Sequence, residues 1–267
     1  MLYLDRVRCS MRSMGFEVAP DGYDAFIGRY SRELAPHFAD FAEVEAGPTL
    51  DVGCGPGALT LELAARVGAD KVAGVDLSER FVAACRARVP RADVRLASAE
   101  SLPFATGSFV AALSQLVVSF VGDPQRMAAE MCRVVGGGGT VALCMFEANG
   151  IAMLRTFWEA ARRFDPHAPD DAHMPFRRSS ELIALCERAD LRDVVTAELS
   201  VEASYSEFEE LWSPFSYGIG PAAEYLQAQN PERRALIREA YFDLLGRPAA
   251  AFVLPATVIA VRGRTAD

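Results

Sequence analysis

One stretch constrains this chain more than any other: an apolar run ending in Leu50-Asp51-Val52, then Gly53-Cys54-Gly55-Pro56-Gly57, then Leu59, Leu63 and Val67 on one helical face. A strand that enters a helix through closely spaced glycines exposes backbone N–H groups to a ligand, because no side chain stands in the way. It also implies a layered α/β architecture, since successive parallel strands are joined by helices that cover the sheet. The downstream sequence agrees. Strands are expected at 48–53, 71–76, 93–97, 109–115 and 139–146, with helical faces between them formed by Phe81, Ala84 and Cys85 and by Met127, Met131 and Val134. Ser78 and Asp123-Pro124 are helix starts. The glycine run 136–139 precedes a strand instead of following one, so it reads as a tight turn into the fifth strand and not as a phosphate cradle.

The remaining third reads as additions around the same sheet. Leu154, Phe157, Trp158 and Ala161 predict a helix over 151–164, and Leu182, Leu185, Cys186 and Ala189 another over 180–189. Alternation at Val195, Ala197, Leu199 and Val201 predicts a strand, and 252–262 a last one, with Pro255 suggesting an edge or a bulge. Between these two lies an insertion, 205–250. Ser206 and Glu209 match a capping box there, Asn230-Pro231 opens a second helix and Gly246 closes it. The expectation is a Rossmann-like doubly wound sheet, mostly parallel, with one antiparallel strand near the C-terminus. An N-terminal helical cap would span 15–45 and a ligand-binding core 46–147, with helical insertions at 148–178 and 205–250 covering a substrate site.

Composition narrows the partner. At 267 residues and 51% apolar, the chain suits one elaborated domain. A net charge of -9 argues against a nucleic-acid groove, whose affinity comes largely from clustered cations, and favours a small molecule. Six cysteines without a C-x-x-C pair point to a reduced, cytoplasmic protein. Arg6, Arg8 and Arg12 are not followed by an apolar run of signal-peptide length, no stretch suggests a membrane span, and Met11 and Met14 are alternative starts. Lys71, the only lysine, stands at a strand start, away from the strand ends where ligands collect, which disfavours Schiff-base chemistry.

Taken alone, the glycine loop also satisfies the loose dinucleotide pattern, and Asp76 at the tip of the second strand, able to hold two ribose hydroxyls, serves either reading. Asp51 separates them. A carboxylate two residues before the first glycine gains nothing beside a pyrophosphate, whereas S-adenosylmethionine carries a sulfonium and an ammonium and no phosphate. Two further polar segments fit that ligand: Ser98-Ala99-Glu100 after the third strand, along an adenine edge, and Ser114-Gln115 at the end of the fourth, beside a methionyl tail.

These motifs, together with Tyr23-Asp24-Ala25-Phe26-Ile27-Gly28-Arg29-Tyr30-Ser31 upstream, resemble class I S-adenosylmethionine-dependent methyltransferases of the small-molecule type, close to the ubiquinone/menaquinone C-methyltransferase group. The resemblance implies that Gly53 and Gly55 line the methionyl portion, Asp76 holds the ribose, Ser98, Ala99 and Glu100 border adenine, and Arg29 approaches the cofactor carboxylate. Asp51, Cys54, Gly57, Leu77 and Gln115 complete the implied binding set. Ser98 stands where the family often has Asp, and Gly137 where it often has Pro.

Other groups read more plainly. Cys54 has no base beside it in sequence and occupies a position that needs a small residue, so a nucleophilic role is disfavoured. The run 165–173 reads as a solvated acidic loop, with no metal-ligand spacing. Phe208, Leu211, Trp212, Phe215, Tyr217 and Tyr225 are either core or a wall for an apolar substrate. Glu147, just past the fifth strand, is the candidate substrate-side base. Methyl transfer to a small acceptor, at carbon, oxygen or nitrogen, is the favoured function. An NAD(P)-dependent oxidoreductase is disfavoured by Asp51 and by the lack of a Tyr-x-x-x-Lys pair. A cofactor-binding protein without catalysis is the third reading.

Overall fold

A computed structural model describes residues 19–217 and 220–266. Arg6, Arg8, Arg12, Met11, Met14 and the first four positions of the expected cap lie outside them. Two helices open the described chain, α1 (Pro20–Ala25) and α2 (Gly28–Phe41). A first group of alternating elements follows: β1 (Thr49–Val52), α3 (Ala58–Val67), β2 (Val72–Asp76), α4 (Glu79–Arg88), β3 (Asp93–Leu96) and β4 (Phe109–Gln115). Then come α5 (Pro124–Val134), β5 (Val135–Ile151), α6 (Ala152–Arg162), α7 (Ser179–Arg188) and β6 (Arg192–Tyr205). The last elements are α8 (Phe208–Trp212), a 3₁₀ turn (Ser213–Tyr217), α9 (Gly220–Gln227), α10 (Pro231–Leu244) and β7 (Phe252–Arg264). The expected helix starts are capped by side chains: Ser78 accepts from Phe81 N, Asp123 from Arg126 N and Asn230 from Arg233 N.

The seven strands form one sheet in the order β3-β2-β1-β4-β5-β7-β6. Only β7 runs against its neighbours, antiparallel to both β5 and β6, which is the expected single reversed strand. The order turns back on itself between β1 and β4, the crevice where open α/β sheets bind ligands. Helices cover both faces. One core joins α2, α3, α6, α8 and α10 to the sheet, and another joins α5 and α7 to its opposite side. Among the described residues, no helix is long and apolar enough to cross a membrane.

Three local expectations are corrected. The glycine run 136–139 is no turn before the strand: β5 already pairs at Val135 with Phe109, and the next partners are Ala111 and Thr140, so the glycines bulge out opposite Val110 alone. Thr265 holds that bulge, accepting from Gly138 N through its backbone and donating its hydroxyl to Gly136 O at 2.6 Å. The Ser206–Glu209 capping box does not form. Helix α8 begins at Phe208, and Glu210 instead accepts from Ser206 N and Oγ at 2.6 and 2.8 Å. Pro255 lies in an interior strand, yet it pairs only with Glu202 of β6, because the β5 ladder stops at Ile151↔Ala256. Its missing N–H therefore costs no bond on that side.

Candidate cofactor and acceptor site

The glycine loop is fixed from below and open above. Gly53 N and Cys54 N both donate to Val75 O, at 2.8 and 2.9 Å, which binds the loop to the end of β2. Gly53 has φ +78°, and a Cβ there would lie 2.4 Å from Val117 Cγ2, so any side chain is refused by the protein itself. Gly55 differs: it has φ +52°, and no atom lies within 4 Å of where its Cβ would be. The clearance there is room for something that is not protein. Cys54 is buried with Cys85 and Val82 beneath the loop, and its thiol is held well above its usual range, chiefly by hydrogen bonding to Cys85 and then by burial. It is placed as a packing residue, not a nucleophile.

Asp76 closes the loop from the next strand. Its Oδ2 accepts from Gly55 N at 2.9 Å and its Oδ1 from Ser78 N at 2.8 Å, which leaves each oxygen a lone pair for a further donor. Burial raises its pKa, while the backbone bonds from Ser78 and Gly55 oppose that rise. Leu77 follows it, half exposed despite its apolar side chain. Ser98 Oγ accepts from Glu100 N at 3.1 Å, so the hydroxyl lies at the turn after β3. The Glu100 carboxylate is committed elsewhere: Oε1 accepts from Gly122 N and Asp123 N at 2.9 and 3.1 Å, and so holds the loop before α5.

Two buried acceptors at the crevice have no partner among the described residues: Asp51 Oδ1 and Gln115 Oε1. Asp51 Oδ2 is satisfied by Thr60 Oγ1 at 2.6 Å and Gln115 Nε2 by Ser31 O at 3.0 Å, so each side chain is anchored at one end and unfilled at the other. Burial pushes the Asp51 carboxyl up to about 7, against the Thr60 bond. Buried polar atoms are rarely left unpaired, and two acceptors left so at one crevice favour a ligand rich in donors.

The N-terminal helices roof this crevice. Asp24 pairs with Arg88 of α4 and with Arg32 of α2, and Tyr23 Oη lies 3.2 Å from Ser31 Oγ with its ring edge-on to Phe81 at 5.4 Å. Burial raises the Tyr23 phenol to about 12, and the Asp76 and Asp51 charges add to the rise. Sequence reasoning placed Tyr23 in a motif without giving it a role. Arg29, expected to approach the cofactor carboxylate, is engaged elsewhere: it donates to Ala25 O, to Ser204 O at 2.8 Å and to Glu210 Oε1 at 2.5 Å, with its guanidinium over the Tyr205 ring. It ties the roof to the end of β6 and to α8.

The far end of β5 bears a different set of groups. Glu147, the candidate base, accepts from Asn149 N at 2.8 Å and lines a small cleft with Trp158, Asp171 and Arg177. Part of the run 165–173, expected to be a solvated acidic loop, is packed: Asp171 is nearly buried, accepts from Trp158 Nε1 at 3.0 Å, and has its pKa raised by burial. Arg177 is 4% exposed and its pKa is lowered by burial, although the Asp171 charge opposes that. The aromatic residues of the insertion form core. Phe215 stacks on Phe157 at 4.7 Å and meets Phe26 of the roof edge-on at 5.1 Å, whereas Tyr217 is exposed.

Residues 50–143 match the family model described as a methyltransferase domain. The chain is 33% identical over 158 residues to a malonyl-[acyl-carrier protein] O-methyltransferase of Geobacter sulfurreducens, a match that takes in 58% of this chain and 59% of that protein. It is 30% identical to a phosphatidylethanolamine N-methyltransferase of Cereibacter sphaeroides over 54% of this chain and 72% of the relative. In fold it resembles a solved Haemonchus contortus phosphoethanolamine N-methyltransferase in complex with phosphomonomethylethanolamine and S-adenosylhomocysteine. That superposition has a TM-score of 0.56 at 17% identity and covers 99% of this chain and 59% of the other.

Proposed function

Because the chain belongs to the class I S-adenosylmethionine-dependent methyltransferases, we propose that it transfers the methyl group of that cofactor to a small-molecule acceptor. The observation that carries the reading is the pair of unfilled buried acceptors, Asp51 Oδ1 and Gln115 Oε1, beside the clearance over Gly55. An α-ammonium supplies donors of the kind that pair lacks, and a pyrophosphate supplies none. Asp76 would hold the ribose hydroxyls, Leu77 would lie under the adenine, and Ser98 with Ala99 would border its edge. Gly53, Gly57 and Cys54 shape the loop.

S-adenosylmethionine supplies an electrophilic methyl group on a sulfonium that leaves as a neutral thioether. The protein is left with alignment and exclusion of water, which together account for up to ~7–11 kcal/mol of barrier reduction. The roof formed by α1 and α2 and the insertion 205–250, which meet at Phe26 and Phe215, serve that exclusion, and 148–178 closes the acceptor side. Glu147 would be the carboxylate to take a proton from an acceptor that arrives protonated. The relatives named above are O- and N-methyltransferases, so the reacting acceptor atom is chosen outside the shared core 46–147. The net charge of -9 and the free cysteines among the described residues support a metabolite as acceptor, no nucleic acid, and a cytoplasmic setting.

Thermal melting in the presence of S-adenosylmethionine, S-adenosylhomocysteine and NAD tests the cofactor, since a ligand of the native state raises the midpoint. Both adenosyl ligands should stabilise the protein and NAD should not; stabilisation by NAD alone overturns the reading. Incubation of metabolite extracts with methyl-labelled cofactor then tests catalysis. Labelled product is expected, and none across varied extracts would reassign the chain to binding without transfer.

A further inference from the structure

We propose that the cleft between the end of β5, α6 and residues 170–177 recognises an anionic group, a carboxylate or a phosphate, carried by the methyl acceptor. Arg177 is its buried contact and Arg155 stands at its mouth. The inference rests on the methyl-transfer reading and names the class of acceptor.

Arg177 is a buried cation whose own surroundings leave it short of acceptors. Its Nη1 lies 3.5 Å from Phe146 O, and its Nη2 lies 3.6 Å from both Met174 Sδ and Asp171 Oδ2. The two contacts to oxygen are longer than a good hydrogen bond, and a thioether sulfur is only a weak acceptor. Its Nε has no partner among the described residues. Asp171 is an incomplete counter-ion, because its other oxygen is already held by Trp158 Nε1 at 3.0 Å. A guanidinium presents a planar fork of donors that matches a carboxylate or phosphate bidentately, so the missing acceptors describe the missing ligand.

The rest of the cleft is consistent. Arg162 is paired with Asp170, which removes both from the balance. Arg155 is exposed, lines the same cleft and has no hydrogen bond or ion pair among the described residues. Glu147 is the opposing charge: it lines the cleft with Arg177 and, among the described residues, accepts from Asn149 N alone. The location also suits an acceptor. Gln115 of β4 pairs with Cys144, and Phe146, whose carbonyl Arg177 approaches, is two residues further toward the ligand edge. Strand β5 is two places from β1 in the sheet, roughly 10 Å sideways at the usual strand spacing. An acceptor of a few carbons, held by its anion at Arg177, would reach back toward the glycine loop.

Trp158 lines this cleft, and the only other tryptophan is Trp212, so a Trp212→Phe background gives a local fluorescence reporter. With S-adenosylhomocysteine saturating, inorganic phosphate and propionate are titrated in separate arms at constant ionic strength, with chloride as control. A saturable change in the phosphate arm, the propionate arm or both, absent with chloride, is expected, and the stronger arm identifies the group. Arg177→Met should weaken it tenfold or more, Arg155→Gln about threefold, and Glu147→Gln should strengthen it. Should Arg177→Met fail to fold, the opposite shifts of Arg155→Gln and Glu147→Gln carry the test. No saturable response, or one that both these variants leave unchanged, overturns the proposal. Stabilisation by S-adenosylhomocysteine is read in parallel. If it persists while the anions fail, this inference alone falls; if it is absent, the methyl-transfer reading falls and the anion titration still reports on the cleft.

Discussion

The two ends of the ligand edge are incomplete in opposite senses. At the glycine loop the unfilled groups are acceptors, Asp51 Oδ1 and Gln115 Oε1; at the end of β5 the unfilled group is a donor, Arg177 Nε. Both lie on one edge of one sheet, two strands apart. A folded chain satisfies nearly all its buried polar atoms, so the polarity of those it leaves is information about what each place receives. On the two proposals made above, the first would be the cation end of the site and the second its anion end.

The harshest way to break the cation end is Gly55→Val. Nothing surrounds the position, so the fold should lose only the cost of a left-handed backbone, about 1–2 kcal/mol. Affinity for S-adenosylhomocysteine by calorimetric titration should drop more than ~100-fold, as the side chain fills the ligand's place. Retained affinity would show that the cofactor does not lie against this glycine.

Asp51→Asn is the next largest. It preserves an acceptor for Thr60 and removes the charge proposed to meet the ammonium, and should weaken the cofactor by about 10- to 100-fold, the range of a charge-assisted hydrogen bond. The same variant sharpens a pH argument. The Asp51 carboxyl is raised from 3.8 to about 7 in the folded protein. Between those values the unfolded chain is ionised there and the native state holds the proton, so the ligand-free protein loses stability as pH rises, and the loss levels off above about 7. Urea midpoints from pH 5 to 8 should decline more steeply for the wild type than for Asp51→Asn. Cofactor binding at pH 6 should release a proton, visible as a buffer-dependent heat, and the variant should release none at this position. Equal slopes and equal heats would remove Asp51 from the cation site.

The smallest effect is expected where the roof meets the insertion. Arg29 and Glu210 are partly exposed, so Arg29→Ala and Glu210→Ala should each cost about 1 kcal/mol or less in stability and hardly change cofactor affinity. A tenfold loss of affinity in Arg29→Ala with Glu210→Ala silent would return Arg29 to the cofactor carboxylate.

The cation end was largely legible in the sequence, because it is made of local rules: a glycine loop between a strand and a helix, a carboxylate at a strand tip, helices capped by Ser78 and Asp123. The anion end was not. Arg177 follows an acidic, proline-containing run whose composition reads as solvent-exposed, and distant partners such as Trp158 for Asp171 and Tyr225 for Asp165 turn part of it inward. The contacts of Arg29 and the bulge at the 136–139 glycines were hidden for a related reason. Their partners, Ser204 for one and Thr265 for the other, lie far along the chain, and no periodicity or turn rule reaches that distance. Glu210 displaced Glu209 as the partner of Ser206 because the helix began one position later than a capping box requires.

The insertion between β6 and β7 leaves and returns through one ladder, whose last pair is Tyr205↔Phe252. Residues 206–251 are therefore a closed loop hung on a fixed clasp, and doubling the length of such a loop costs only about 0.6 kcal/mol in closure entropy. The strands therefore set where the segment leaves and returns, while its core contacts to Phe157 and Phe26 set which replacements the fold accepts.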